Sequence, residues 1–220
     1  MFHHLRYQTQ TLFQSPTHLM ASIALGILLL LLFPLALQDQ GAIANELATA
    51  VFFLMTLVLN SLYLNEQFHE DFDDGTLKQV ALQPLGLLQW IWARFILTWC
   101  CLALLLGFLA VTLVLLYQQP HEIVLILLIH ALLFNVYLIQ LALFISALTT
   151  SITKNGGLYM LLLLPFSIPA LIAALDSFYT FSQTQQMALS TSLLIGLATL
   201  SMALLPWLGA YLLRLQLNYG

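Results

Sequence analysis

Apolar residues run along this chain in long stretches, over 19–37, 47–64, 95–117, 123–148, 157–175 and 187–213. Each is apolar on all sides, unlike the one-sided stripe of a surface helix. A span needs about 20 such residues, at about 1.5 Å rise each, to cross about 30 Å of hydrocarbon. Backbone polar groups in hydrocarbon must be satisfied internally, so runs of this length predict helices. The pattern predicts an all-α membrane protein with six transmembrane helices in a single domain over 1–220. The run 47–64 lies at the lower limit for a span, and 187–213 has room to tilt or to break near Pro206.

The segments between the runs carry their own patterns. In 1–18, Phe2, Leu5, Thr9, Leu12 and Phe13 fall at helical intervals, with Arg6, Gln10 and Gln14 off the stripe. A short amphipathic helix in the headgroup region fits this spacing, and a disordered tail is the alternative. Ser15-Pro16 then supplies a cap and a first-turn proline for the first span.

The dense polar segment 65–86 holds Glu66, Glu70, Asp71, Asp73 and Asp74, five of the nine acidic residues, together with Lys78. The second helix is expected to run past the membrane through Phe68 and Phe72. Asp74-Gly75 signals a turn. Thr76 and Gln79 have capping-box spacing, with Thr76 as N-cap, which predicts a short helix over 77–82 stopped by Gln83-Pro84. Leu77, Val80 and Ala81 share a face suited to a groove on another protein. A solvated loop kept out of the membrane by its acids fits equally well.

Composition and charge sharpen the picture. Hydrophobic residues make up 61% and charged residues 6% of the chain, against roughly a quarter charged in soluble domains. With a cytoplasmic N-terminus, the inner segments 1–18, 65–94, 149–156 and 214–220 hold Arg6, Lys78, Arg94, Lys154 and Arg214, every basic residue present. The outer segments 38–46, 118–122 and 176–186 hold Asp39, Glu46, Glu122 and Asp176. That asymmetry obeys the positive-inside rule and puts the N- and C-termini in the cytoplasm. Ala42-Ile43-Ala44 looks like a signal cleavage site, but the apolar run before it is long for a leader and one arginine precedes it. Cys100 and Cys101 are adjacent on a helix and point in different directions, so they suit neither a mutual disulfide nor a metal framework.

Lys154-Asn155-Gly156-Gly157 reads as a tight inner turn, with glycines free to take positive φ. Pro165 and Pro169 fall within the fifth run and predict a break about halfway across it, either a hinge or cavity wall or a bend patched by neighbouring helices. His121 lies in an outer loop and His130 inside the fourth span; a haem or polar contact is one reading, and an inter-helix hydrogen bond is favoured for His130. Trp90, Trp92, Trp99 and Trp207 read as interfacial anchors.

Absent motifs narrow the function. No phosphate-binding Gly-x4-Gly-Lys-Ser/Thr loop, His-Glu-x2-His, Gly-x-Ser-x-Gly or Cys-x2-Cys occurs, and five basic residues near the membrane do not make a nucleic-acid surface. Every Asp and Glu lies at or beyond a helix end, which disfavours an ion-driven carrier. Energy for transport is therefore expected from a soluble partner, docking on 65–86.

Glu70-Asp71-Phe72-Asp73-Asp74-Gly75-Thr76-Leu77-Lys78-Gln79, followed by Pro84-Leu85 and Arg94, resembles the cytoplasmic loop of the CcmB (haem exporter protein B) family. Lys154-Asn155-Gly156-Gly157 with Leu164-Pro165 and Ile168-Pro169 resembles the second recognisable stretch of that family. The chain departs from the family pattern at Lys78, where an acid is expected. The resemblance implies an ABC-2-exporter-like permease of the bacterial inner membrane, acting in c-type cytochrome biogenesis and present as two copies. It implies a cytoplasmic CcmA-like ATPase holding ATP and Mg, CcmC-like and CcmD-like membrane partners, and a CcmE-like haem chaperone. In that frame 1–18 becomes the elbow helix, 65–86 the coupling helix and haem the cargo, with no cofactor resident in this chain and no catalytic residue. A structural assembly subunit and a stand-alone secondary transporter are the rival readings.

Overall fold

A computed structural model of the chain describes residues 41–64, 67–118, 120–150 and 157–219, with positions 24, 28 and 32. The described elements are α1 Gly41–Tyr63, α2 His69–Asp73, α3 Thr76–Ala81, α4 Gly86–Leu116, α5 Glu122–Thr149, α6 Gly157–Thr184 and α7 Leu189–Tyr219. Helices α4 to α7 are each long and apolar enough to cross a bilayer, and α1 carries a shorter apolar stretch, Leu47–Tyr63. This is an all-α, multi-span membrane protein. Four full spans appear among the described residues rather than six. The amphipathic segment 1–18 and nearly all of 19–37 lie outside those residues; Ala24, Leu28 and Leu32 are helical and exposed, on one stripe.

Several boundaries differ from expectation. Helix α1 starts at Gly41 rather than at 47, and its 23 residues give a length of about 34 Å. Helix α4 begins at Gly86, not 95, and has 31 residues; it is longer than the hydrocarbon requires by about three turns. Nothing between 87 and 94 breaks a helix, so the last part of the expected inner segment 65–94 belongs to α4. Helix α6 continues to Thr184, which shrinks the expected turn over 176–186.

The break expected at Pro165 and Pro169 is not there, because α6 runs through both. Side chains serve the carbonyls of that turn. Ser167 Oγ donates to the Leu164 carbonyl at 2.9 Å, and Tyr137 Oη on α5 donates to the Phe166 carbonyl at 2.9 Å. The carbonyls that the prolines release are those of Leu161 and Pro165, four residues before each, so these bonds brace the turn rather than replace the lost ones.

Helix α5 is the hub, packed against α1, α4, α6 and α7. Its Leu127, Ala131, Phe134, Leu138 and Ala142 are fully enclosed. At Gly209 on α7 a methyl group would stand 3.2 Å from Ile91 Cδ1 and 3.9 Å from Ala147 Cβ, so the missing side chain lets α7 cross α4 and α5 closely. The opposite face of α4, with Leu104, Phe108, Val111 and Leu115, is exposed.

Chain direction brings the end of α1, the start of α4, the end of α5, the start of α6 and the end of α7 to one end of the bundle. Gln216 Nε2, donating to the Leu148 carbonyl at 3.1 Å, ties α7 to α5 there. The Ser177–Thr191 hydroxyl pair, 2.7 Å apart, joins α6 to α7 at the other end.

Candidate functional site

Helices α2 and α3 fold against each other as a hairpin on the end where α4 begins. The turn between them is built by Asp74 and Gly75. Asp74 Oδ1 accepts the Thr76 N–H at 2.8 Å, and Gly75 takes φ 79°, a left-handed geometry open to glycine. The expected capping box is corrected here: Gly75 is the N-cap, Thr76 is already helical, and α3 ends at Ala81. The Asp74 carboxylate, two residues upstream, accepts the Thr76 N–H that the Gln79 side chain would take in a capping box, as Asx turns do. Nor does the second span continue through Phe68 and Phe72, since α1 ends at Tyr63 and α2 is a separate five-residue helix.

The two faces of the hairpin are the reverse of the expected ones. Leu77 (0% exposed) and Val80 (5%) are buried in the core of this chain, with Ala81 against it, so they are not available to another protein. The outward surface carries Glu70, Asp73, Asp74, Lys78 and Gln79, while Gly75 and Thr76 are half-buried. Beyond α3 the chain turns through Leu82, Gln83, Pro84 and Leu85, all exposed, with Leu82 at 86%. Leu85 holds φ 58°, a conformation costing a non-glycine residue roughly 1–2 kcal/mol. Gly86 follows with the Val80 carbonyl oxygen 2.1 Å from where a Cβ would stand. Glycine alone allows α3 to end directly on the start of α4.

Asp71 is not outward-facing like its acidic neighbours. It is buried, with Oδ2 3.0 Å from Arg94 Nη2 and accepting from Trp90 Nε1 at 3.1 Å. Arg94 also donates to the Gln67 carbonyl, and its guanidinium lies 5.3 Å from the Phe68 ring centroid and 6.0 Å from that of Trp90. A charge on hydrocarbon-side helix α4 is thus neutralised by the hairpin. His69 adds a second tether: its Nδ1–H donates to the Thr150 carbonyl at 3.1 Å, and its Nε2 is 3.7 Å from Asp73 Oδ2.

The other candidate residues lie apart from the hairpin tip. Gly157 opens α6 and is exposed, while Gly156 and Lys154 are outside the described residues. Pro165 and Pro169 lie on the exposed face of α6. His121 is exposed ahead of α5, and His130 is buried further along the same helix. Nδ1–H of His130 donates to the Ile126 carbonyl at 2.7 Å, leaving Nε2 as the lone-pair nitrogen. That nitrogen is buried with no hydrogen-bond partner among the described residues. The ring is 6.2 Å from Phe178 and 5.7 Å from Phe181, and the inter-helix hydrogen bond expected for it is not made among the described residues. Among the described residues no three His, Cys, Asp or Glu side chains gather as a metal site.

Two of the polar contacts that escaped the reading of the sequence pair side chains from distant elements. Asn60 Nδ2 on α1 donates to Asn135 Oδ1 on α5 at 2.8 Å, within the buried bundle. The signal was present, since Asn60 is the one amide in the run 47–64. Asp71 with Arg94 is the other; opposite charges 23 positions apart carry no spacing rule that pairs them.

A family model described as CcmB protein matches residues 3–216. The heme exporter protein B of Pseudomonas aeruginosa is 29% identical over 168 residues, 76% of this chain and 75% of that protein. The heme exporter protein B of Rhodobacter capsulatus is 27% identical over 196 residues, covering 89% and 90%. That of Haemophilus influenzae is 28% identical over 196 residues, covering 87% of each.

Proposed function

This chain belongs to the CcmB family, and from that membership we infer that it is the membrane permease subunit of an ABC-type haem-export complex in c-type cytochrome biogenesis. It resides in the bacterial inner membrane as a multi-pass protein and performs no catalysis itself. A cytoplasmic CcmA-like subunit binds ATP and Mg and supplies the energy. CcmC-like and CcmD-like membrane subunits and a CcmE-like haem chaperone complete the assembly, in which this subunit is present as two copies and haem is the cargo. We assign to the chain a single domain over 1–220 with six spans, both termini cytoplasmic, 1–18 as the elbow helix and the α2–α3 hairpin as the coupling element. Helix α6, with Pro165 and Pro169 and the glycines before it, is the span assigned to flex.

The observation that carries this reading is the exposed connection Leu82–Leu85 between α3 and α4. It offers exposed leucines just ahead of α4, on the same hairpin as the exposed acids Glu70, Asp73 and Asp74. This chain leaves those leucines uncovered, so an apolar socket with a basic rim on the ATPase subunit suits them. Burying a leucine is worth about 1.5–3 kcal/mol, or about 10- to 150-fold in affinity. Affinity purification in mild detergent tests the assignment. The native chain is expected to bring down an ATP-hydrolysing subunit, and Leu82→Asp with Leu85→Asp to lose it while remaining inserted. Undiminished recovery of the ATPase by that variant sinks the docking assignment.

A further inference from the structure

We propose that the buried Asp71–Arg94 pair is the transmission joint of this subunit, a positioning device that makes the hairpin and α4 move as one body. The inference rests on the docking reading above and concerns the step after docking. The hairpin joins α4 covalently only through 82–85, with Leu77 and Val80 of α3 buried beside that joint, while α2 lies across the Asp74–Gly75 turn from it. Arg94 supplies the second attachment. Its guanidinium holds the Asp71 carboxylate at 3.0 Å, takes the Gln67 carbonyl and lies against the Phe68 ring. Trp90, one turn earlier on α4, donates to the same Asp71 oxygen. The chain from Asp71 through α3 and Gly86 to Arg94 is thereby closed into a ring, and two points of attachment fix an orientation that one does not. His69 extends the hold to the end of α5 through the Thr150 carbonyl. Among the described elements, α3 of the hairpin packs on α4 and α7. A displacement of the docked hairpin therefore reaches α4 at Arg94 as well as through 82–85, and α5 through the His69 tether.

An ion pair that only stabilises the fold and one that transmits motion give different results when both charges are removed. Removing one member leaves an uncompensated buried charge, whereas removing both leaves none. The variants Asp71→Asn, Arg94→Gln and the double Asp71→Asn/Arg94→Gln are made in the full chain within its complex. Three quantities are read: recovery of the ATPase subunit, ATP turnover of the purified complex, and holo-cytochrome c in cells by haem staining. The double variant is expected to recover the ATPase and hydrolyse ATP, while cytochrome output per ATP falls on the order of tenfold, within the usual range of a coupling between sites. Output per ATP equal to the native complex in the double variant overturns the proposal and leaves the pair a stabilising contact. Should the single variants fail to assemble, the double still decides, and a restored charge order in Asp71→Arg/Arg94→Asp is expected to recover part of the output. If the native chain recovers no ATPase at all, it is the docking reading that fails, an outcome visible before any variant is compared.

Discussion

Gly86→Ala probes the hairpin joint with one methyl group. In the structure that methyl would stand 2.1 Å from the Val80 carbonyl oxygen and 3.1 Å from Gln83 Cβ. Carbon and carbonyl oxygen in close contact normally sit about 3.3 Å apart, so the carbonyl must retreat by roughly 1 Å. It cannot do so alone, because Val80 O also accepts from the Gln83 N–H at 3.1 Å and the Val80 side chain is buried. The end of α3 must therefore lift from the start of α4. Overpacking of this kind costs about 1–3 kcal/mol. If the partner docks on the joint as it stands, that cost reappears in docking as about 5- to 150-fold weaker recovery of the ATPase subunit. Titrating the purified membrane subunit with its ATPase, in detergent and at several concentrations, measures the shift. Gly107→Ala is the control on the same helix, since nothing lies within 4 Å of its position, and it is expected to bind as the native chain does. Native-like docking by Gly86→Ala would refute the claim that the close contact of α3 with the start of α4 presents Leu82–Leu85.

Other substitutions test the remaining contacts. A double-mutant cycle of Asn60→Ala and Asn135→Ala, read by thermal unfolding in detergent, is expected to give a coupling of about 0.6 kcal/mol and no more than about 1.7 kcal/mol, as found for hydrogen bonds between spans. Asp74→Ala removes the acceptor of the Thr76 N–H and is expected to destabilise α3 by about 1 kcal/mol, seen as faster hydrogen exchange at the amides of 76–79; Thr76→Ala should change that exchange far less. Tyr137→Phe deletes the donor to the Phe166 carbonyl and is expected to lower stability by about 0.5–1.5 kcal/mol; spin labels on α5 and α6 should report a wider spread of distances near the prolines.

Much of the architecture was written in local pattern. Unbroken apolar runs foretold helices wherever the structure describes them, because a backbone in hydrocarbon has no other way to satisfy its hydrogen bonds. Asp74-Gly75 marked the hairpin turn correctly, since both the left-handed glycine and the short carboxylate act within two residues. The hairpin faces did not follow from the same reasoning. Leu77 and Val80 have the spacing of an amphipathic helix whether their apolar side meets this chain or another. Asp71 and Asp74 likewise look alike in a row of acids, yet one is held by Arg94 and Trp90 and the other is exposed. The prolines of α6 predict a break that the structure does not contain, because a helix packed between α5 and α7 continues past a missing N–H, and those helices lie elsewhere in the sequence.

Membrane residence, helical content and the position of the one polar hairpin are properties of the sequence by itself, since each depends on neighbours along the chain and on the solvent they meet. The direction in which the hairpin faces, the closing of its base by Asp71 and Arg94, and the contact of Asn60 with Asn135 belong to the tertiary structure. These join residues far apart in sequence, and a buried charge or amide finds its partner only once the helices have packed.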